Sequence, residues 1–217
     1  MGDIDMAKEK HFVFSFGRMN PPHAGHEKLA NAVKSHARKV GGDHAVILSQ
    51  SHGGSKNPLP PDVKHEMAKK VLPNTNVVSD PDIRHMGHAF EHAKKNGYSH
   101  AHLVVGGDRH SEMSEKAGKI GKAVGIKVNV VNAGHRDPDA EGVEGSSATK
   151  VRAAANEKSV NKFRHHMPKH ISHADATHMM NTIHGHMKTA NESVEWFDEE
   201  EFLRFLGEET LLDEAAK

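Results

Sequence analysis

Apolar residues in the first two thirds of the chain fall into two patterns. Short runs such as 12–16 and 45–48 are almost uninterrupted, which is typical of strands covered on both faces of a parallel sheet. Between these runs, apolar residues recur every three or four positions, as in helices that pack on such a sheet. The pattern predicts five strands, near 12–16, 44–49, 76–79, 102–105 and 126–131.

Four helices are predicted between these strands, and turn residues mark their ends. The first helix begins near Ala24, after the helix-breaking sequence Asn20-Pro21-Pro22. Asp62 is expected to cap the second helix, while Asn96-Gly97 and Gly125 are expected to end the third and the fourth. Alternating strands and helices predict an α/β protein, a Rossmann-like three-layer α/β/α architecture with a five-stranded parallel sheet.

Three segments rich in polar and turn residues follow predicted strands, at 17–26, 106–109 and 132–152. Ligands of parallel α/β sheets bind at the carboxyl ends of the strands, near the point where the strand order reverses. The sequence therefore predicts that the three segments contribute to one binding site.

From residue 153 onward the apolar spacing is helical only. We predict two parts, an α/β domain over 1–155 and a helical C-terminal extension over 156–217. The extension ends in an acidic tail, from Glu192, with interleaved aromatic residues. This tail either packs back on the domain or forms an amphipathic helix for a protein partner or a second subunit in a homo-oligomer.

The charge balance gives no reason to expect binding to nucleic acid or to a membrane. The 217 residues include 29 lysines and arginines and 29 aspartates and glutamates, so no strong global field attracts a polyanion. The chain has no cysteine, which excludes disulfides, zinc–thiolate sites and thiol catalysis. No apolar run reaches transmembrane length and the N-terminus is polar, so we expect a soluble, cytoplasmic protein.

Histidine is unusually abundant, with 21 residues. Metal storage or a pH switch is one interpretation, because histidine binds metals and titrates near neutral pH. Irregular spacing and the lack of a His-Glu-x-x-His motif favour histidines that replace other polar residues on solvated faces. A histidine-rich metal-binding protein would be indicated by stoichiometric zinc or nickel binding that survives loss of His23 and His26.

The first candidate for chemistry directly follows the first strand. His23 and His26 are three residues apart at the start of the predicted first helix, so both can face one anion. A helix N-terminus also carries N–H groups and a partial positive charge that favour phosphate. Gly25 allows an anion to approach the backbone, and Gly17 and Arg18 form the preceding turn. The alternative is a pair of surface histidines after a turn.

A second candidate segment, 146–152, follows the fifth strand and precedes a predicted helix. Its sequence is Ser-Ser-Ala-Thr-Lys-Val-Arg. Hydroxyl groups at a helix start cap the helix and bind phosphate oxygens, and Lys150 and Arg152 can add charge-assisted contacts to a polyphosphate. An ordinary capped helix with two basic side chains would carry the same residues.

Together the two segments resemble the two signatures of the HxGH nucleotidyltransferases, the cytidylyltransferase-like superfamily. His23-Ala24-Gly25-His26 is similar to the first signature, and the segment 147–152 is similar to the second, Ser-(Ser/Gly/Ala)-Thr-x-x-Arg. Gly107-Asp108-Arg109 resembles the family's Gly-Ser-Asp segment, with glycine in place of serine. The resemblance covers about residues 11–155. The chain is also similar to small stand-alone members from tailed bacteriophages, which would imply the host cytoplasm.

The resemblance implies a reaction in which a phosphate or hydroxyl of an acceptor attacks the α-phosphorus of a nucleoside triphosphate and pyrophosphate leaves. His23 and His26 would stabilise charge on the α- and β-phosphates, supported by backbone N–H groups around Gly17, Arg18 and Gly25. Such chemistry depends on positioning and charge stabilisation rather than on a covalent nucleophile.

The second signature implies contacts to the far end of the triphosphate. Ser147, Thr149 and Arg152 would hold the β- and γ-phosphates and the departing pyrophosphate, with Lys150 as a helper. Asp108 would contact the nucleotide or order the site. Mg²⁺ would be bound together with the nucleotide, since the sequence shows no dedicated set of metal ligands.

The resemblance also favours particular substrates. Phe16-Gly17-Arg18, followed by Asn-Pro-Pro-His, is closer to the Gly-Arg-Phe-x-Pro start of nicotinamide-nucleotide adenylyltransferases than to the Gly-Thr-Phe-Asp start of cytidylyltransferases. This implies ATP, with nicotinamide mononucleotide as the leading small phosphorylated acceptor. Two alternatives stay open: a cytidylyltransferase that acts on a small phospho-alcohol, and a non-catalytic nucleotide-binding or structural module that retains the fold.

Overall fold

A computed structural model describes residues 9–134, 145–189, 193–194 and 205–206. The strands are β1 (His11–Gly17), β2 (Asp43–Leu48), β3 (His52–Gly53), β4 (Val77–Val78), β5 (His100–Val105), β6 (Lys127–Asn132) and β7 (Ser193–Val194). The helices are α1 (Ala24–Val40), α2 (Pro61–Val71), α3 (Met86–Lys95), α4 (His110–Val124), α5 (Ala148–Asn156), α6 (Val160–His165) and α7 (His173–Thr189). A short 3-10 helix, Gly107–Arg109, precedes α4.

Five strands form one parallel sheet in the order β4-β2-β1-β5-β6. The predicted α/β fold, Rossmann-like with a five-stranded parallel sheet and helices on both faces, is confirmed. The strand order reverses between β1 and β5, because the chain first adds strands on one side of β1 and then on the other. A crevice at the carboxyl ends of these two strands is where such sheets bind ligands.

Alternating side chains of β2 enter two separate cores, as the pleat of a strand requires. Val46 and Leu48 pack against α2 and against the C-terminal helices, while Ala45 and Ile47 pack against α3 and α4. All four residues are fully buried. Burial on both faces explains why the strands appear in the sequence as continuous apolar runs.

Helices α5, α6 and α7 pack on the same side of the sheet as α2. Val151 of α5, Phe163 of α6 and Met179 of α7 belong to one buried cluster with Leu48. The division of the chain near residue 155 remains a prediction, and residues from both predicted parts share this cluster.

Two local predictions differ from the structure. The N-cap of α2 is Pro60, whereas Asp62, the predicted cap, lies in the first turn of the helix. Proline suits this end because the first helical N–H groups need no intrahelical partner. The C-terminal part is not purely helical, since β7 pairs antiparallel with β3, which lies between β2 and α2. Strands of two residues are too short to show a periodic pattern.

The described part of the tail packs back on the α/β domain. Phe205 and Leu206 are half-buried against the core on the α3–α4 side of the sheet. Gly87 makes this possible, because a Cβ atom there would lie 2.6 Å from a ring carbon of Phe205. The other aromatic residues of the acidic tail lie outside the described residues.

Several histidines are not on solvated faces, contrary to the interpretation favoured by their spacing. His85 is fully buried at the start of α3, and His102 is 6% exposed in β5. His36 and His11 each lie 3.0 Å from a ring nitrogen of His102. The sequence could not show this, because the contact partners are far apart along the chain.

Acid is expected to weaken the fold through His85. Burial, with His88 and Arg84 nearby, lowers the pKa of His85 from 6.5 to about 4 in the folded protein. Between these two pH values the unfolded chain binds more protons. The stability contributed by neutral His85 is therefore present above pH 6.5 and is lost as the pH falls toward 4.

Urea unfolding at pH 7.0 and at pH 4.5 measures this effect. A His85→Asn variant keeps an N-cap side chain but cannot titrate. Its loss of stability between the two pH values should be smaller than that of the wild type by about 2–3 kcal/mol. Equal losses in the two proteins would show that His85 does not set the acid sensitivity.

No helix in the described part of the chain is long and apolar enough to cross a membrane.

Candidate functional site

A cavity of about 630 Å³ opens at the carboxyl ends of β1 and β5. Its walls come from the end of β1 and the turn into α1, from the end of β5 with the 3-10 helix, and from the start of α5. These are parts of the three segments that the sequence predicted to share a site. The volume is in the range of small-molecule and cofactor sites.

His23 and His26 line the cavity. The side chain of each residue also accepts a hydrogen bond from a backbone N–H at the start of helix α1. The Nδ1 atom of His23 accepts a hydrogen bond from the Gly25 N–H at 3.1 Å. The Nδ1 atom of His26 accepts one from the His23 N–H at 3.2 Å. In a neutral ring whose Nδ1 accepts, the proton is on Nε2. Both rings therefore have an Nε2–H donor, and their centroids are 3.9 Å apart.

The capping arrangement also changes which groups can bind an anion. The Gly25 N–H donates to His23, and the Ala24 N–H donates to the His166 carbonyl at 3.0 Å. The first backbone donors of α1 are thus engaged inside the protein. Gly25 has a packing role as well, since a Cβ atom there would lie 2.9 Å from Cε1 of His23. His23 and His26 both line the cavity at this turn.

Arg152 reaches the same cavity from helix α5. Its Nη1 donates to the carbonyl of Asn20 at 2.8 Å, and its Nη2 donates to Thr149 Oγ1 at 3.2 Å. Thr149 also lines the cavity. These two bonds fix the guanidinium plane against the turn that precedes the histidines, so both predicted signatures meet in one place.

The remaining predicted residues occupy different positions. Gly17, Arg18 and Asp108 line the cavity, and Asp108 is exposed above the end of β5. Ser147 and Lys150 are not among the lining residues. Ser147 is the N-cap of α5, and its Oγ accepts from the Lys150 N–H at 3.2 Å.

Sequence reasoning missed a part of the wall that comes from the loop after β3. Lys56 and Asn57 line the cavity. The loop is held by Asn20, whose side chain exchanges two hydrogen bonds with the backbone of Leu59, at 2.8 and 3.0 Å. Nothing local in the Lys-Asn-Pro-Leu sequence of residues 56–59 indicates contact with residue 20.

The cavity is strongly cationic. Among the described residues that line it, five carry a positive charge and only Asp108 carries a carboxylate. The cationic residues are Arg18, Lys28, Lys56, Arg109 and Arg152.

Burial and proximity to Arg18 affect two basic groups. They lower the pKa of Arg152, and they lower the pKa of the buried Lys64 ammonium to about 8. Lys64 Nζ donates to the Ser49 carbonyl at 2.5 Å behind this wall. A polyanionic ligand would relieve the repulsion between Arg18 and Arg152.

A second His-x-Gly-His sequence occurs at the start of α3 and was not recognised from the sequence. His85 is the N-cap of that helix, and its side chain accepts from the His88 N–H at 3.4 Å. The rings lie 3.7 Å apart, much as at the first site. The Phe205 ring packs against both, with centroid distances of 5.2 Å to His85 and 6.1 Å to His88. The His-x-Gly-His motif by itself therefore specifies only a capped helix start. The first copy lines a cavity because it follows the carboxyl end of β1 in the sheet.

The fold and the site define a class of protein, the HxGH nucleotidyltransferases. The sequence model described as cytidylyltransferase-like matches residues 14–154. This covers more than half of the chain, which therefore belongs to the cytidylyltransferase-like family.

Comparison with other proteins adds one structural likeness. No curated protein matches the chain, whereas 24 chains of solved structures do. One is TmcAL of Thermotoga maritima, crystallised with alpha-thio ATP, with a TM-score of 0.50 and 13% identity. The match covers 79% of this chain and 55% of TmcAL. The chain thus spans about half the length of that protein, and the likeness is one of fold.

Proposed function

We propose that this protein transfers the adenylyl group of ATP to nicotinamide mononucleotide and releases pyrophosphate. The observation that carries the proposal is the pairing of two imidazoles, each with its proton on Nε2, with a fixed guanidinium in one cationic cavity. This set of donors suits a triphosphate, and no described residue has to act as a covalent nucleophile.

In the proposed step, a phosphate oxygen of the acceptor attacks the α-phosphorus. The bond between that phosphorus and the oxygen bridging to the β-phosphate breaks, and the electron pair leaves with pyrophosphate. His23 and His26 donate hydrogen bonds to the α- and β-phosphate oxygens, where charge builds up. Arg152 and Thr149 hold the β- and γ-phosphates.

Ser147 and Lys150 were predicted to bind the nucleotide, but in this proposal both act indirectly. Ser147 fixes the start of α5, which positions Thr149 and Arg152. Lys150 is exposed and contributes through the general positive field of the helix start. Gly17 and Gly25 leave room in the wall, while Arg18 adds charge to it.

Mg²⁺ is proposed to accompany the nucleotide. Asp108 supplies the single carboxylate among the described lining residues, which does not form an all-protein site. Such a wall fits Mg²⁺ that keeps water and phosphate oxygens as most of its ligands. When bound, the ion would neutralise charge on the phosphates.

The choice of adenine nucleotide has two supports. The turn Phe16-Gly17-Arg18 resembles that of nicotinamide-nucleotide adenylyltransferases, and a protein of similar fold, TmcAL, has been crystallised with alpha-thio ATP. The family description favours CTP as the competing nucleotide. A cytidylyltransferase acting on a small phospho-alcohol is therefore the second candidate.

Pyrophosphate release in the presence of Mg²⁺ tests the proposal. ATP and CTP are each combined with nicotinamide mononucleotide, with phosphopantetheine and with small phospho-alcohols. We expect release with ATP and nicotinamide mononucleotide. Release only with CTP and a phospho-alcohol would select the second candidate. No release and no nucleotide binding would indicate a structural module that retains the fold.

Gly25→Ala is expected to lower turnover by about 10–100-fold, because displacement of a positioned catalytic group by about 1 Å has an effect of this size. The new Cβ atom would lie 2.9 Å from Cε1 of His23, so the ring has to move. Stability should fall by no more than about 1 kcal/mol, because the helix preference of alanine offsets part of the loss of the cap bond to His23.

Steady-state kinetics and urea unfolding of the Gly25→Ala variant check this result. Gly118→Ala in α4 is the matched control, because a Cβ atom there meets nothing within 4 Å. Unchanged turnover in Gly25→Ala would show that the position of the His23 ring does not matter for the reaction.

A further inference from the structure

A second group of potential ligands lies at the opposite end of the sheet from the cavity. His11 begins β1 and His100 begins β5, and the two residues are direct partners in the parallel ladder. Glu9 is two residues before His11, on the chain that enters β1. Because the cavity is at the carboxyl ends of these strands, this group is separate from the proposed nucleotide site.

One ligand atom from each of Glu9, His11 and His100 lies within 4.8 Å of the other two. The distance from His100 Nε2 to Glu9 Oε1 is 3.7 Å, and the rings of the two histidines are 4.7 Å apart. Two imidazoles and one carboxylate form a ligand set of the kind that binds zinc with water in the remaining position. Glu9 is exposed and can close on an ion by a side-chain movement.

The other ring nitrogen of each histidine already has a partner. His11 Nδ1 lies 3.0 Å from His102 Nε2, and His102 in turn contacts His36 at 3.0 Å. His100 Nδ1 lies 3.0 Å from Ser99 Oγ. Histidines that bind metals almost always donate their second nitrogen to a carboxylate, a backbone carbonyl or water, which orients the ring. Here an imidazole and a hydroxyl group occupy that position and can orient the two rings. This orientation is a feature that scattered surface histidines lack.

We propose that Glu9, His11 and His100 bind one divalent transition-metal ion of the Zn²⁺ class. The ion would join the start of β1 to the start of β5 and to the segment that precedes them. Neutral imidazole nitrogens suit Zn²⁺, Ni²⁺ or Co²⁺ better than Mg²⁺ or Ca²⁺, which prefer oxygen ligands. Lys127 Nζ, at 3.4 Å from Glu9 Oε1, is the nearby cation that would have to turn away.

Titration of the full-length protein with Zn²⁺, without nucleotide, tests this site. Zn²⁺ affinity is measured by competition with a chromophoric chelator, and Co²⁺ absorption in the visible range reports the ligand geometry. We expect one tightly bound ion per chain. Glu9→Gln and His100→Gln should each weaken binding by more than about 100-fold, the upper end of the effect of removing an orienting partner.

Three further variants separate a built site from general binding by a histidine-rich chain. Ser99→Ala should weaken binding by at least about 10–100-fold, because it removes the partner of His100 and also the hydrogen bonds between Ser99 Oγ and the Lys10 backbone. Lys127→Ala should leave binding equal or stronger. His165→Gln, which removes one exposed histidine, should leave the affinity unchanged. Circular dichroism confirms that each variant is folded, and Glu9→Gln alters an exposed residue outside the strands.

The proposal would be overturned if Glu9→Gln and His100→Gln bound Zn²⁺ as tightly as His165→Gln does. It would also be overturned if the ions bound weakly in a number that follows the histidine count. Because the titration contains no nucleotide, failure of the proposed transferase activity would not change either outcome.

Discussion

Replacing His26 with alanine is expected to lower the turnover number by about 10²–10³-fold, which is typical of the loss of one donor to developing charge. His26 lines the cavity, and its Nδ1 accepts from the His23 backbone, so the ring has its proton on Nε2. The binding constant for ATP should change much less than turnover, because the donor acts mainly on charge that grows in the transition state. Single-turnover kinetics and ATP titration measure the two quantities separately.

Part of the effect of His26→Ala could come from weakening the start of α1, since the bond to the His23 N–H is also lost. His88→Ala is a control, because His88 occupies the same position in the second His-x-Gly-His sequence and its Nδ1 accepts from the N–H of Arg84, just before the N-cap, at 3.3 Å. Loss of such a capping bond costs about 1 kcal/mol of stability. Both variants should show this loss, while only His26→Ala should lose turnover. Near-normal turnover in His26→Ala would remove this residue from the mechanism.

Replacing Arg152 with alanine is expected to weaken triphosphate binding by about 10–100-fold, as for the loss of hydrogen bonds to a charged group. The guanidinium is held by the Asn20 carbonyl and by Thr149 Oγ1. Its position is therefore set before the nucleotide arrives, and little side-chain entropy is lost on binding. Turnover at saturating ATP should fall less than affinity.

Isothermal titration of ATP and of AMP into the Arg152→Ala variant checks its role. AMP has no β- or γ-phosphate, so its affinity should change little. Arg164→Ala, an exposed arginine on α6, controls for the loss of one positive charge. Equal ATP affinity in wild type and Arg152→Ala would show that Arg152 does not contact the triphosphate.

The main sheet could be predicted from the sequence because the patterns that mark its strands are local. Strands β1, β2 and β5 are largely buried and appear as apolar runs, whereas the edge strand β6 is only partly buried and alternates polar with apolar residues. Helix α1 is marked by Asn20-Pro21-Pro22 and by helical spacing. Two-residue strands such as β3 and β7 carry no such pattern. Their pairing depends on a contact between distant parts of the chain, which residue periodicity does not encode.

The candidate site likewise has one part that local sequence motifs predict and another that depends on contacts between distant residues. His23, His26 and Arg152 were found because motifs keep their spacing along the chain. The contribution of Lys56 and Asn57 could not be found in this way, since it depends on the hydrogen bonds between Asn20 and Leu59, 39 residues apart in sequence. Spacing also gave no means of distinguishing His23-Ala24-Gly25-His26 from the second His-x-Gly-His sequence at the start of α3.

The pairing of β3 with β7 links the C-terminal part of the chain to the loop that supplies Lys56 and Asn57 to the cavity. In the proposed reaction, a movement of this loop during pyrophosphate release would be restrained by that pairing. We therefore expect residues far downstream of the reacting groups to influence how fast product departs. We expect a chain shortened to end at Thr189 to release product at a different rate, even though every residue proposed above to contact the substrate is still present.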